Sequence, residues 1–457
     1  MSLNNFFNPG SVAVIGVSES PSKVGHVIFK NLADGSFHGK VFAVNPNLRS
    51  VLNHPGYSSV LKIKDKIDLA IIAIPASKVM EVVKECNRKN IKNLLIISSG
   101  FGEVGNHALE ERLRFYLERN KIKAVGVNCL GIYDAHSGFD SLFLPRYKVQ
   151  RPDEGSIGFI CQSGAVGSAI LDMAASKGHR FSKFVSYGNA TQTDESDLLE
   201  YLGNDVNTEV ICMYIEGIKD GEKFFRIAKR VAKKKPVIVI KGGLTKEGSK
   251  AALSHTGSMA GEKEVYFGVF RQTGVIRADS LEEMFDIASL FEKGVKDKGR
   301  RFMVITNGGG YGIISTDNIS KSECLKMAEL SPGSKEALES RMPDTVNIRN
   351  PLDLVGDAGV ERYRDALDVC LKDKNVDGIV LVILYQLPLI HSEITDLVIE
   401  ARRRSGKPII VVSTGGNLTE ELSDYLEDEG IPTFSYPENA VKALDKLIWY
   451  ENKKKFI

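Results

Sequence analysis

The stretch "LAIIAIPASKVMEVVKECNRKNIKNLLIIS", residues 69–98, decides the fold. Two Ile-rich apolar runs, "LAIIAI" (69–74) and "LLIIS" (94–98), flank "KVMEVVKECNRK" (78–89). In the middle piece Val79, Val82, Val83 and Cys86 recur at helical spacing, so one face of a helix is apolar. The flanking runs are short and apolar throughout, as strands buried on both faces are. Strand, helix and strand in this order make a right-handed βαβ unit, whose strands lie parallel.

The same alternation extends in both directions. "VAVIG" (12–16), "VFAVN" (41–45) and "AVGV" (124–127) complete a first set of runs. The pattern pauses at the polar "RYKVQRPDEGS" (146–156) and resumes with "IGFI" (157–160), "ICMYI" (211–215) and "VIVI" (237–240). It pauses again at "EKGVKDKGRR" (292–301), before "FMVIT" (302–306), "GIVLVIL" (378–384) and "IIVV" (409–412). The expected fold class is α/β: three consecutive units with mainly parallel sheets, at about 1–145, 150–295 and 300–457.

Composition narrows the function. The chain has 457 residues, 43% of them hydrophobic, enough for several cores. A net charge of +2 and no aromatic-basic tract argue against a nucleic-acid surface. "MSLNNFFNPGSVAVIG" lacks the charged start and long apolar core of a secretion signal. The greasiest run, "GIVLVILYQLPLI" (378–390), is too short to span a bilayer and reads as a buried strand. Six scattered cysteines without a CxxC pair fit a reducing cytoplasm, with neither a disulfide framework nor a structural zinc site. No metal ligands are expected on this chain.

Parallel α/β units bind ligands beyond the carboxyl ends of their strands, where helix N-termini offer free N–H groups to anions. Each unit has such a turn: "VIGVSESPSKVG" (14–25), "FICQSGAVGSAIL" (159–171) and "VITNGGGYGII" (304–314). The first has no GxGxxG, and the strand ending "VNPN" (44–47) carries no ribose-gripping carboxylate, which disfavours a nicotinamide oxidoreductase. In the others, Ser163, Gly164 and Ala165, and Asn307, Gly308, Gly309 and Gly310, are candidate cradles for a phosphoryl group. Glycine-rich turns also serve tight helix–strand packing, and that reading stays open. With no GxxxxGK[ST] anywhere, a nucleoside triphosphate is expected on another chain.

His255 stands in "SHTGSMAG" (254–261), after "KPVIVIKGG" (235–243), a strand leading into a glycine- and serine-rich stretch. An imidazole in such a stretch can take a phosphoryl group and later surrender it. A solvent-facing histidine is the alternative. The phosphorylated ring carries about two negative charges and needs donors to receive them. A carboxylate on the other ring nitrogen would orient it, and Glu216, in "YIEGI" at a strand end, is the candidate.

"ICQSGAVG", "KPVIVIKGGLT" and "SHTGSMAG", in this order, resemble the α subunit of succinyl-CoA synthetase and its ADP-forming relatives. "VGVNCLG" (125–131) matches the same family, with Leu130 where it has proline. "ITNGGGYGI" through "NPLDLVG" (350–356) resembles the ligase domain that succinyl-CoA synthetase carries on its β subunit. The fusion resembles the α subunit of the NDP-forming acetyl-CoA synthetases. The resemblance implies a Rossmann-like CoA-binding domain followed by two flavodoxin-like ligase domains. It implies that His255 is the phosphorylated intermediate and Glu216 its supporting carboxylate. It places coenzyme A at Gly16, Ser18, Ser20, Lys23, Val44, Asn45, Pro46, Ile74, Pro75, Ala76, Ile97, Ser98, Ser99, Asn128 and Cys129. Two departures are visible: the turn "SESPSKVG" is longer and poorer in glycine than the family's, and Leu48, beside Arg49, stands where the family has a lysine.

The implied reaction is acetyl-CoA + phosphate + ADP (or GDP) ⇌ acetate + CoA + ATP (or GTP). The implied partner is an ATP-grasp β subunit in an α2β2 heterotetramer, with Mg²⁺ and the nucleotide on that subunit. The expected location is cytoplasmic, with no membrane or nucleic-acid partner. An inert CoA-binding regulator or scaffold would not need the histidine of "SHTG"; an enzyme acting on another acid is the nearer alternative.

Overall fold

The computed structural model describes residues 3–245, 247–248 and 262–457. These divide into two compact units, residues 1–278 with Ile457, and 279–456.

The first unit contains two seven-stranded sheets among its described residues. At the centre of the first sheet the strand Ser11–Ile15 lies between Lys40–Val44 and Leu69–Ile72, parallel to both. Asn93–Ile96 and Lys123–Gly126 follow outward in parallel. The only antiparallel pairing described in this sheet is the edge strand Ser50–Val51 on His54–Tyr57. All five residues of Ser11–Ile15 are buried, which is why the run shows no alternation. The helix Ala76–Arg88 covers one face with Val79, Val83 and Cys86 fully buried and Val82 packed partly against the same core.

The second sheet is centred on Glu154–Cys161, parallel to Phe181–Ser186 on one side and Val210–Ile215 on the other. Val237–Lys241 and Ile276–Arg277 extend it. Its far edge comes from earlier in the chain. Gly131–Asp134 runs antiparallel to Phe181–Ser186, with Gly131 opposite Ser186 and Asp134 opposite Lys183, and Phe139–Asp140 pairs with Gly131–Asp134. This edge carries buried charge in paired form. Lys183 Nζ, 3% exposed, sits 3.2 Å from Asp134 and 3.0 Å from Asp205, so each ion lost from water has a partner.

The second unit holds a six-stranded parallel sheet built on Arg301–Thr306, Gly378–Val382 and Ile409–Val412. The apolar run 378–390 reads as one strand, but the strand stops at Val382. Asn307 explains the stop: its side chain accepts from the Leu384 N–H at 3.0 Å and donates to the Leu384 carbonyl at 3.3 Å, taking both groups out of the ladder. The remaining residues turn away. All six cysteines are free and buried. No helix among the described residues is long and apolar enough to cross a membrane.

Candidate functional site

A cavity of about 800 Å³ opens in the first unit where five strand ends meet two helix starts. Gly16, Ala73, Ile97, Asn128 and Gln162, all on its wall, lie just past the carboxyl ends of Ser11–Ile15, Leu69–Ile72, Asn93–Ile96, Lys123–Gly126 and Glu154–Cys161. The helices Val24–Ala33 and Gly164–Ser176 present their first residues to it. Their unpaired N–H groups and positive dipole ends make an apolar-floored cleft receptive to anions.

The first turn is held by its neighbours. Val44 O accepts from the Gly16 N–H at 2.9 Å, and Asn45 Nδ2 donates to the Val17 carbonyl at 2.8 Å. His26 Nδ1 lies 2.8 Å from the Ser18 carbonyl; a carbonyl can only accept, so this nitrogen carries the proton. The helix start must pass very close to the strand end. A Cβ on Gly25 would stand 2.2 Å from the Gly16 carbonyl oxygen, and Gly16 itself has φ +100°. Gly25→Ala therefore forces backbone apart, and the expected cost is about 1–3 kcal/mol, read as a lower urea midpoint with the m-value unchanged.

Of the residues expected to meet coenzyme A, Gly16, Ser18, Lys23, Ile74, Pro75, Ile97, Ser98, Ser99, Asn128 and Cys129 line this cavity. Ser20, Val44, Asn45, Pro46 and Ala76 do not. Val44 and Asn45 shape the turn from behind, and Ser20 and Pro46 are exposed. Ser98 Oγ accepts from the Ile74 N–H at 3.1 Å, fixing the third strand end. Burial pushes the Cys129 thiol up to about 12, so it is a packing group and not a nucleophile at neutral pH.

Ser163, Gly164 and Ala165 line the same cavity. Ser163 caps the helix by accepting from the Val166 N–H at 3.4 Å. Sequence reasoning passed over its neighbour Gln162. Its side-chain oxygen accepts from the N–H groups of Glu216 at 2.7 Å and Gly217 at 3.1 Å, while the Tyr187 hydroxyl donates to it at 3.2 Å. Gln162 therefore ties the turn carrying Glu216 to the cavity wall. The signal was present: it is the one large polar side chain between the strand end "FIC" and the small residues that follow. Leu130, directly after Cys129, also lines the cavity, as do Phe143, Leu144 and Asn189, which come from segments that none of the quoted turns includes.

Glu216 follows the strand Val210–Ile215 and is 8% exposed. Burial and the neighbouring carboxylate push the Tyr214 hydroxyl up to about 12. Lys241 Nζ donates to the Glu216 carbonyl at 2.8 Å. His255 lies outside the described residues.

In the second unit, Asn307 and Gly308 precede the helix Gly309–Lys321. Thr306 Oγ1 accepts from the Gly308 N–H at 3.0 Å. A Cβ on Gly309 would come 2.8 Å from Asp353 Oδ2, and one on Gly308 2.5 Å from Leu384 Cδ1; Gly310 faces open space. Both close atoms are side-chain ends, and one of them places a carboxylate beside the helix start. Among the described residues no group of three His, Cys, Asp or Glu side chains is placed to hold a metal ion.

Comparison with known proteins fits this geometry. A CoA binding domain model matches residues 10–135, a succinyl-CoA ligase like flavodoxin domain 154–291 and a ligase-CoA domain 302–452. An ADP-forming acetate–CoA ligase I of Archaeoglobus fulgidus is 41% identical over 97% of this chain, which spans 63% of that protein's length. The α subunit of the ADP-forming acetate–CoA ligase II of Pyrococcus furiosus is 37% identical over 98% of this chain and 97% of its own. The dinucleotide forming acetyl-coenzyme A synthetase 1 of Ca. Korarchaeum cryptofilum, solved in complex with phosphate and ADP, superimposes with a TM-score of 0.92 at 33% identity, covering 99% of this chain and 98% of that one. At this identity and over this length, the chain belongs to the family of ADP-forming acetate–CoA ligases, within the succinyl-CoA ligase superfamily.

Proposed function

We propose that this chain is the acyl-CoA-handling and phosphoryl-carrying subunit of an ADP-forming acetyl-CoA synthetase. The observation that carries the reading is the shared cavity: the strand ends of the first sheet and the helix start at Ser163–Ala165 line one space. A thioester and a phosphate bound there would be neighbours. Phosphate oxygen attacks the thioester carbonyl, CoA leaves as its thiol, and a bound acetyl phosphate results. A ring nitrogen of His255 then attacks phosphorus, acetate leaves, and the phosphoryl group rests on the imidazole. ADP takes it in a second transfer and the imidazole is regenerated. Dividing the reaction conserves the energy of the thioester in a carrier that can be passed on.

The cavity supplies donors where charge gathers. Helix N–H groups at Gly164 and Ala165 suit phosphate oxygens, and Lys23, at the edge of the first turn, suits the phosphates of CoA. The carboxylate of Glu216 would hold the ring of His255. The turn at Asn307–Gly310 is a second place for a phosphoryl group, with Asp353 as a counterweight that favours release over retention. The nucleotide and its Mg²⁺ belong with an ATP-grasp partner, in an α2β2 assembly in the cytoplasm.

This division of labour is open to measurement. The isolated chain should bind CoA, and with acetyl-CoA and phosphate should place phosphate on His255. ATP should appear from ADP only when the ATP-grasp subunit is added. Tight ADP binding and unaided ATP formation by the isolated chain would show the division to be wrong.

A further inference from the structure

Lys241 is the last residue of the strand Val237–Lys241 and pairs with Ile215, one residue before Glu216. Its side chain turns inward and the residue is only 5% exposed. Among the described residues the ammonium makes three contacts, one of them with its immediate neighbour in the chain. It donates to the backbone carbonyl of Glu216 at 2.8 Å. It also donates to the carbonyl of Gly242, the first residue of the segment that leads to His255. Thirdly, it sits 4.5 Å from the ring centroid of Tyr266, on the helix Lys263–Thr273 that follows that segment. The carboxylate end of one strand and both stems of residues 242–262 thus meet at a single cation.

This arrangement is costly for folding. A buried cation held by neutral carbonyls and a ring recovers only part of its hydration. Burial lowers the Lys241 ammonium to about 8, partly opposed by Glu216. Replacing such a cation with an apolar side chain of similar length is often neutral or stabilising. A methionine would fill the same channel at less cost, so stability alone does not account for a lysine here.

We propose that Lys241 is a positioning residue of the phosphoryl carrier, tying the Glu216 turn to both stems of the segment that bears His255. The inference rests on the reading of His255 and Glu216 given above. Among the described residues the contacts of the Lys241 ammonium are backbone carbonyls and a ring, none of them a reacting group. Lys241 holds the Glu216 turn against Gly242 and Tyr266, described residues before and after the segment that bears His255. A Cβ on Gly242 would stand 2.9 Å from the Tyr214 hydroxyl, so the chain leaves the strand close to the side chain that precedes the Glu216 turn.

The test uses the full chain with its ATP-grasp partner, labelled phosphate and acetyl-CoA, in single-turnover rapid quench. In Lys241→Met, His255 phosphorylation and kcat should fall by about tenfold or more, with the KM for acetyl-CoA and the affinity for CoA unchanged. A role confined to stability would lower the melting temperature and leave the turnover of folded enzyme intact. Tyr266→Leu removes the ring and keeps the ammonium, and should slow the same step by a smaller factor, about threefold. A folded Lys241→Met that phosphorylates His255 at the wild-type rate overturns the inference. Should that variant not fold, a wild-type rate in Tyr266→Leu overturns it equally. If the wild-type chain acquires no phosphohistidine, the underlying reading of His255 fails first, and this inference with it.

Discussion

His255→Ala should leave a chain that binds CoA normally, takes up no acid-labile, base-stable phosphate from labelled ATP in the presence of the partner subunit, and turns over roughly 10⁴-fold more slowly or worse. The loss is this large because the imidazole is the covalent carrier, and no other group in "SHTGSMAG" can form a phosphoramidate. Without it, acetyl phosphate has no acceptor on this chain. CoA affinity should survive because the described walls of the cavity come from strand ends and turns between Gly16 and Asn189, which the substitution leaves untouched. Phosphate labelling that persists in the variant, with the same acid lability, would move the carrier elsewhere.

The next largest effect belongs to Glu216→Gln. The amide keeps the size of the side chain, and the Glu216 N–H that Gln162 captures is backbone, so the turn itself should hold. What disappears is the negative charge that orients the ring and stabilises it as it becomes cationic. Turnover should fall by roughly a hundredfold, with CoA affinity unchanged and the phosphorylated state shorter-lived. Rapid-quench measurement of phosphohistidine formation and decay would show both. Wild-type turnover in Glu216→Gln would shift the supporting role to another carboxylate.

How far these conclusions were legible in the sequence depends on the range over which each feature is encoded. Runs such as "VAVIG" and "LAIIAI" announce buried parallel strands because burial on both faces removes all alternation, a purely local signature. The turns at Gly16, Ser163 and Gly308 were legible for the same reason: a strand end and a helix start are adjacent in sequence. The run at 378–390 misled because its ending is set from 77 residues away, by the amide of Asn307 on the backbone of Leu384. Gln162 was overlooked because its partners, Glu216 and Gly217, stand more than 50 residues further on. Phe143 and Asn189 reach the cavity through tertiary packing that no local pattern records. The position of His255 in the motif is plain in the sequence, whereas the residue itself lies outside the described structure.

The two short strands between Gly131 and Asp140 carry a consequence for any cut or graft. They follow the last strand of the first sheet but serve as the border of the second, hydrogen-bonded to Phe181–Ser186. A gene fragment that ended with the first sheet would strip its neighbour of that border, bare the outer edge of Phe181–Ser186, and leave the buried Lys183 without Asp134. The reverse cut would attach an orphaned ribbon to whatever received it. The first two modules of this chain are therefore joined as one piece: a cut or graft should preserve the fold only when it spares the join at 131–140, and the cleft then goes with it.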